Sequence, residues 1–326
     1  MRIRIRLTAR LVAATAAAMG MLLGASTQAQ TFPAKPVHII VPNAPGGAID
    51  IMARLFEQHF RTIWSQPVVV EYKPGAGTAL GTEYVGRSAP DGHTICLVVT
   101  SHVINPSIRK LPFDTVKDFS GVTMTAVSQI LISATPSLEA NNIAELIALA
   151  KKRPGTLSYA SPGSGSSMHF AGELLKMEAG IDILHIPFKG SGPAYPEVMS
   201  GRIQLLIDPF FSSQPYINGG KLKPIAITGP KRASASPAIP TVAETIPGFS
   251  VMSIFGAVVP SATPREVVRK LNADFVKVLQ LPEVRKRMAE LSLEPVGNTP
   301  EQFDAFIRTE IEKWAKVVKT AGIKND

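Results

Sequence analysis

Residues 37–60, VHIIVPNAPGGAIDIMARLFEQHF, constrain this chain most, because one short span holds a strand, a reversal and a helix. Val37, Ile39, Ile40 and Val41 form a β-branched run between Pro36 and Pro42, which predicts a strand. Met52, Leu55, Phe56, His59 and Phe60 recur at helical spacing, with Arg54, Glu57 and Gln58 between them. Gly46 and Gly47 let the backbone reverse without a Cβ clash. The helix then begins, at the carboxyl end of a strand, with N–H groups that have no intrahelical partner. The dipole is positive there, so the turn can hold an anion. Alone it is equally a plain βα connection.

The pattern repeats. Strands are predicted at 67–72, 94–99, 157–160, 183–187, 203–207, 222–228 and 250–259, with a β-rich segment at 121–133. Glycine turns at 73–78, 161–167 and 188–193 open helices, and a further helix spans 142–153 behind Asn142 and Glu145. Thr263-Pro264-Arg265-Glu266 and Thr299-Pro300-Glu301-Gln302 read as capping boxes with proline at the first helical position. Strands alternating with helices indicate an α/β chain with parallel sheets covered on both faces. Two such blocks give two lobes, residues 30–125 with 250–326 and residues 126–249. The chain crosses between them twice, leaving a cleft.

Residues 1–29 stand apart. Arg2, Arg4, Arg6 and Arg10 precede an apolar stretch at 11–25 and a small-residue cleavage site ending at Ala29. This is the pattern of a secretory signal peptide, and no later run is long and apolar enough to span a membrane. The formal charge of +9 includes those four arginines, leaving +5. The remaining basic residues are dispersed without interleaved aromatics, which argues against a nucleic-acid partner. The single cysteine, Cys96, lies within the strand TICLVV and reads as a buried, inert thiol.

Ligands of α/β sheets sit beyond the carboxyl ends of the strands. The residues predicted there are Pro45, Gly46, Gly47 and Ala48; Gly75, Ala76, Gly77 and Thr78; and Ser101. The second block adds Ser161, Gly163, Ser164, Ser166, Ser167 and His169, then Lys189, Gly190 and Asp208. Five of these segments are rich in Gly, Ser or Thr, a composition suited to holding an anion by backbone N–H groups and hydroxyls. No cofactor motif is present: Gly75-Ala76-Gly77 is followed by Leu80 where a dinucleotide fingerprint needs glycine, and there is no Walker A sequence. The six histidines show no zinc-site spacing. Residues 161–167, SPGSGSS, do not form the G-x-S-x-G elbow, although Ser166 or Ser167 with His169 leaves a serine hydrolase as an alternative. For His169, capping or core filling competes with ligand contact. Asp208 either meets the ligand or caps the next turn, and Lys189 either pairs with a carboxylate or is a solvated loop lysine.

PNAPGGAIDIMAR, EYKPGAGTALGTEYV, PDGHTICLV, SYASPGSGSSMHFAGELL, IPFKGSGPAYPEVMSGRIQLLID and PTVAETIPGF occur in this order. Together they resemble the Bug family, the TctC-like extracytoplasmic solute receptors of tripartite tricarboxylate transporters. The resemblance covers essentially all of residues 31–326. It implies a two-lobed periplasmic binding protein of type II, a periplasmic location, and capture of a small organic carboxylate by lobe closure for delivery to membrane permease subunits. The missing cofactor and zinc motifs, the single-copy architecture and the modest charge add the expectation of a non-enzymatic monomer without cofactor or metal. A ligand-binding sensor for a signalling partner is the other receptor reading. By the same resemblance, the turns at 45–48, 75–78, 161–167 and 189–190 hold one carboxylate and Asp208 faces the ligand's far end. The chain departs from the family at Asn43 and Ala44, where an aromatic residue is common, at Lys73, where arginine is common, and at the bulky Pro209-Phe210-Phe211. These departures bear on which ligand is bound.

Overall fold

A computed structural model describes residues 32–188, 190–233 and 236–323; the expected leader with its cleavage site, and Lys189, lie outside them. Residues from Lys35 onward make one compact unit. The chain begins with β1 (Val37–Val41), α1 (Ala48–Trp64), β2 (Val68–Tyr72), α2 (Ala79–Gly86), β3 (Thr94–Val99), α3 (Ser101–Ile108) and β4 (Phe119–Ser128). It continues through β5 (Ile130–Ala134), α4 (Ile143–Lys152), β6 (Leu157–Ser161), α5 (Ser167–Ala179), β7 (Ile183–Pro187), α6 (Ala194–Met199), β8 (Leu205–Pro209), α7 (Phe210–Asn218) and β9 (Lys223–Ile227). It closes with β10 (Ser253–Pro260), α8 (Arg265–Leu279), α9 (Pro282–Glu290), β11 (Leu293–Pro295) and α10 (Pro300–Ala321).

Two sheets result, in the orders β11-β4-β10-β3-β1-β2 and β7-β6-β8-β5-β9. Both are mixed, which corrects the expectation of parallel sheets. β1, β2 and β3 pair in parallel, as do β6, β7 and β8, but β10 is antiparallel to β3 and β4, and β5 to β8 and β9. The physical reason lies in the crossings. Only Gln129 separates β4 from β5, and β10 follows β9 after a long loop, so each sheet is reversed at the strand on which the chain arrives from the other sheet.

α3 and α7 carry no helical signal in the sequence, because each is short and contains a proline, Pro106 and Pro215. One local expectation also changes. The 263–266 segment is not a capping box: the carbonyl of Pro264 accepts from Val267 and Val268, making Pro264 itself the cap, and the Thr263 hydroxyl is buried without a partner. The other two signals are realised. Thr299 Oγ1 accepts from the Gln302 N–H at 3.2 Å while Gln302 Oε1 accepts from the Thr299 N–H at 3.0 Å, and Asn142 Oδ1 accepts from the Glu145 N–H at 2.9 Å.

The apolar stripe of α1 meets α8, with Phe56 and Phe60 edge-on to Phe275 at 4.7 and 4.8 Å. α10 packs on the first sheet and on a helix of the second block. Its Phe303 fills the space where a Cβ on Gly256 of β10 would stand, 2.3 Å from the ring. Eleven residues on, Trp314 packs edge-on against Phe170 of α5 at 5.3 Å. Glycine in a central strand marks such a close approach. No helix among the described residues is long and apolar enough to cross a membrane.

Candidate ligand-binding site

A cavity of about 360 Å³ lies where the carboxyl ends of β1, β3 and β6 meet the start of β10. The first sheet contributes Asn43, the Gly77-Thr78 turn, Val99, Thr100 and Ser101; the second contributes residues 162–168; and the returning strand contributes Ser253, Ile254 and Phe255. A larger hollow of about 580 Å³ by Pro106, Arg109 and Ile311 contains none of the glycine turns.

Two helices begin on the cavity. α3 starts at Ser101 behind Thr100, and α5 starts at Ser167 behind Ser166. The first N–H groups of each have no acceptor within the helix, and the dipole adds positive potential. The hydroxyls around them are mutually engaged. Thr78 and Ser101 share a hydrogen bond of 2.7 Å, Ser167 and Ser253 share one of 2.9 Å across the two sheets, and Thr100 Oγ1 accepts from the Ile254 N–H at 3.0 Å. The Asn43 carboxamide oxygen is buried with no partner.

The first-sheet turn is strained. Gly75, Ala76, Gly77 and Thr78 all have positive φ, and Thr78, β-branched, stands at +82°. Glycine adopts positive φ freely, but Ala76 and Thr78 each cost on the order of 1–3 kcal/mol there and persist because the surroundings hold them. Asn105 Nδ2 donates to the Gly77 carbonyl at 2.7 Å, and Thr82 Oγ1 donates to the Thr78 carbonyl at 3.1 Å. On the other sheet the Ser166 hydroxyl donates to the Gly163 carbonyl at 2.7 Å and accepts from the His169 N–H at 3.2 Å.

A polar network stands behind that second loop. His169 Nδ1 accepts from the Gly165 N–H at 3.2 Å, and its ring stacks on His185 at 4.0 Å. His185 Nε2 bonds the Ser161 hydroxyl at 2.7 Å. Burial lowers the pKa of His169, and burial together with the neighbouring His169 and Lys176 lowers that of His185 to about 3. Both rings are therefore neutral near pH 7, and His169 keeps the acceptor that orients Gly165. Tyr159 donates to Glu173 Oε1 at 2.8 Å, seated where a Cβ on Gly172 would overlap its ring. Asp208 is fully buried and accepts from Ser191 and Tyr195, both at 2.5 Å; burial raises its pKa to about 6 against the lowering by these two bonds.

Of the residues expected at the site, the cavity gathers Gly77, Thr78, Ser101, Gly163, Ser164, Ser166 and Ser167. Gly75 and Ala76 shape the first turn, while Ser161 and His169 support the second loop from behind. The 45–48 turn stands outside the lining: Pro45, Gly46 and Gly47 are exposed, Ala48 is half-buried, and the Gly46 N–H donates to Asp50 at 2.8 Å. Gly190 donates its N–H to the Pro162 carbonyl at 2.8 Å, bracing the loop, and Asp208 anchors the adjacent Ser191. The lining also includes Asn43, Val99, Thr100, Pro162, Gly165, Met168, Ser253, Ile254 and Phe255. Pro162 and Gly165 fall within the expected 161–167 turn; Val99, Ile254 and Phe255 carry no local signal, since they continue ordinary strands. Among the described residues no three His, Cys, Asp or Glu side chains gather to hold a metal ion.

A sequence profile described as "Tripartite tricarboxylate transporter family receptor" matches residues 52–323. This chain belongs to that family. Protein BugT of Bordetella pertussis is 33% identical over 306 residues, which are 93% of this chain and 94% of BugT. An R. palustris protein solved with adipate superposes with a TM-score of 0.77 at 32% identity, covering 90% of this chain and all of that one. MatC from Rhodopseudomonas palustris, with bound malate, gives 0.73 at 30% identity over 88% of this chain and all of MatC. The family is one of extracytoplasmic binding receptors, and the two mixed sheets of this receptor are those of periplasmic solute-binding proteins.

Proposed function

We propose that this receptor captures a small organic carboxylate at the cavity between its two sheets and presents it to the permease subunits of a tripartite tricarboxylate-type transporter. The observation that carries the reading is the meeting of two helix starts, Ser101 from one sheet and Ser167 from the other, around a single cavity. Hydrogen bonds to a charged group contribute about 1.5–3 kcal/mol each, and a micromolar complex needs about 8 kcal/mol, so a few N–H groups suffice. Relatives solved with adipate and malate support carboxylate as the class. A ligand touching both sheets binds best when they are close, so it favours a closed state. In this reading residues 30–125 with 250–326 and residues 126–249 are the moving lobes, and Gln129 and the 228–252 loop are the passages between them.

The same proposal makes the protein a non-catalytic monomer in the periplasm, released from a leader cleaved near Ala29. The committed hydroxyls support the absence of catalysis: Ser166 is a helix cap, Ser167 pairs with Ser253, and His169 spends Nδ1 on Gly165. The test is thermal unfolding of ligand-stripped protein against carboxylates. An acid at about 100 times its dissociation constant stabilises by about 2.7 kcal/mol. Ester turnover lost in Ser166→Ala or Ser167→Ala would overturn the reading in favour of a hydrolase.

A further inference from the structure

We infer that the ligand is a monocarboxylate with a compact apolar body, and that Met168 and Phe255 select it. This inference rests on the carboxylate-receptor reading and narrows it. The cavity lining divides by chemistry. Its polar members are hydroxyls, the Asn43 amide and backbone N–H groups, and no charged side chain among the described residues lines it. One carboxylate is served by the starts of α3 and α5. A second carboxylate within the cavity would meet no cation among the described residues, and an unpaired buried charge is disfavoured.

The rest of the lining is apolar: Val99, Pro162, Met168, Ile254 and Phe255. Val99 and Phe255 are register partners on β3 and β10, so their side chains stand side by side on one face of the sheet. Phe255 is 9% exposed and Met168 9% exposed, so each is seated in the wall with little of its surface left open. Methionine adapts to irregular apolar shapes, which suits a branched or ring-shaped body. The unpartnered Asn43 carboxamide oxygen supplies one polar point beside this apolar wall.

Calorimetric titration of ligand-stripped, refolded protein tests this with matched probes: isovalerate, benzoate and phenylacetate; succinate, glutarate and adipate; and isovaleramide and benzamide. We expect at least one monocarboxylate to bind about tenfold or more tighter than every dicarboxylate, and the amides not to bind. Dicarboxylates binding tightest would overturn the inference and leave the carboxylate reading standing. Amides binding as well as acids, or no probe binding, would overturn both. Phe255→Ala should weaken the monocarboxylate about tenfold. Phe255 lies in a central strand, so this variant is paired with Met168→Lys, in the first turn of a helix. Met168→Lys should move the preference toward dicarboxylates, and an unchanged preference in a folded Met168→Lys protein would remove Met168 from the selecting wall.

Discussion

The turn at 75–78 and the loop at 163–167 look alike in sequence, since each is a glycine-rich stretch that opens a helix, yet they are built differently. The first is four consecutive residues of positive φ, held by Asn105 on the Gly77 carbonyl and by the Thr78–Ser101 hydroxyl pair. The second uses a side-chain cap, Ser166, and a neutral histidine acceptor, His169. The first turn stores backbone strain at the cavity; the second satisfies its groups with side chains. Behind the second loop, the 190–193 segment depends on a third device, the buried carboxylate of Asp208. Each device should respond differently when broken.

The largest effect belongs to Asp208. Its folded pKa of about 6 lies above the ordinary 3.8, so the folded state binds the proton more tightly than the unfolded chain. The stability contributed by the protonated form is fully present below about pH 4 and is lost as pH rises through 6. The loss is about 3 kcal/mol at 1.36 kcal/mol per pKa unit. Urea unfolding of the native protein and Asp208→Asn at pH 4 and pH 7 should show this extra pH dependence only in the native protein. Equal slopes would mean that burial does not govern this carboxylate.

Gly163 comes next. Its φ of +152° is a conformation that side chains rarely adopt, and a Cβ there would stand 3.2 Å from the Phe188 carbonyl oxygen. Gly163→Ala should cost about 1–3 kcal/mol and weaken ligand binding with it. Ser166→Ala removes a cap and releases the Gly163 carbonyl, for about 1 kcal/mol. If the second loop is held by side chains, these two losses should exceed any at the first turn; a smaller loss for Ser166→Ala than for Thr78→Ala would reverse the comparison.

Much of this was legible in the sequence because it is local. β-branched runs between prolines marked β1 and β2, and Thr299 with Gln302 and Asn142 with Glu145 marked real caps. Thr263 misled because proline adopts the extended conformation of a cap as readily as the first helical position. The reversed strands were not legible, since strand direction depends on how the chain re-enters a sheet and leaves no trace in a run of apolar residues. The same limit applies at the site. Gly46-Gly47 and Gly77-Thr78 carry one signal, but Asp50 consumes the N–H of Gly46 while Asn105, far along the chain, turns Gly77 onto the cavity. Ser253 and Phe255 line the cavity only because β10 pairs antiparallel with β3.

The smallest predicted effect separates stability from binding most cleanly. Thr78→Gly removes a β-branched side chain from φ +82°, which relieves strain, but it also frees the unfolded chain and deletes the hydroxyl bonded to Ser101. The relief and the entropic cost are each on the order of 1 kcal/mol and oppose one another, so the unfolding midpoint should barely move. Binding should still weaken several-fold, because the turn loses the rigidity that aims its backbone at the cavity and the Ser101 hydroxyl loses its partner. Thr78→Ser is the companion: it keeps the hydroxyl and drops only the methyl, so affinity should return while stability stays level. If Thr78→Gly leaves affinity intact, the strain at 75–78 has no part in ligand capture, and the two turns differ in construction alone.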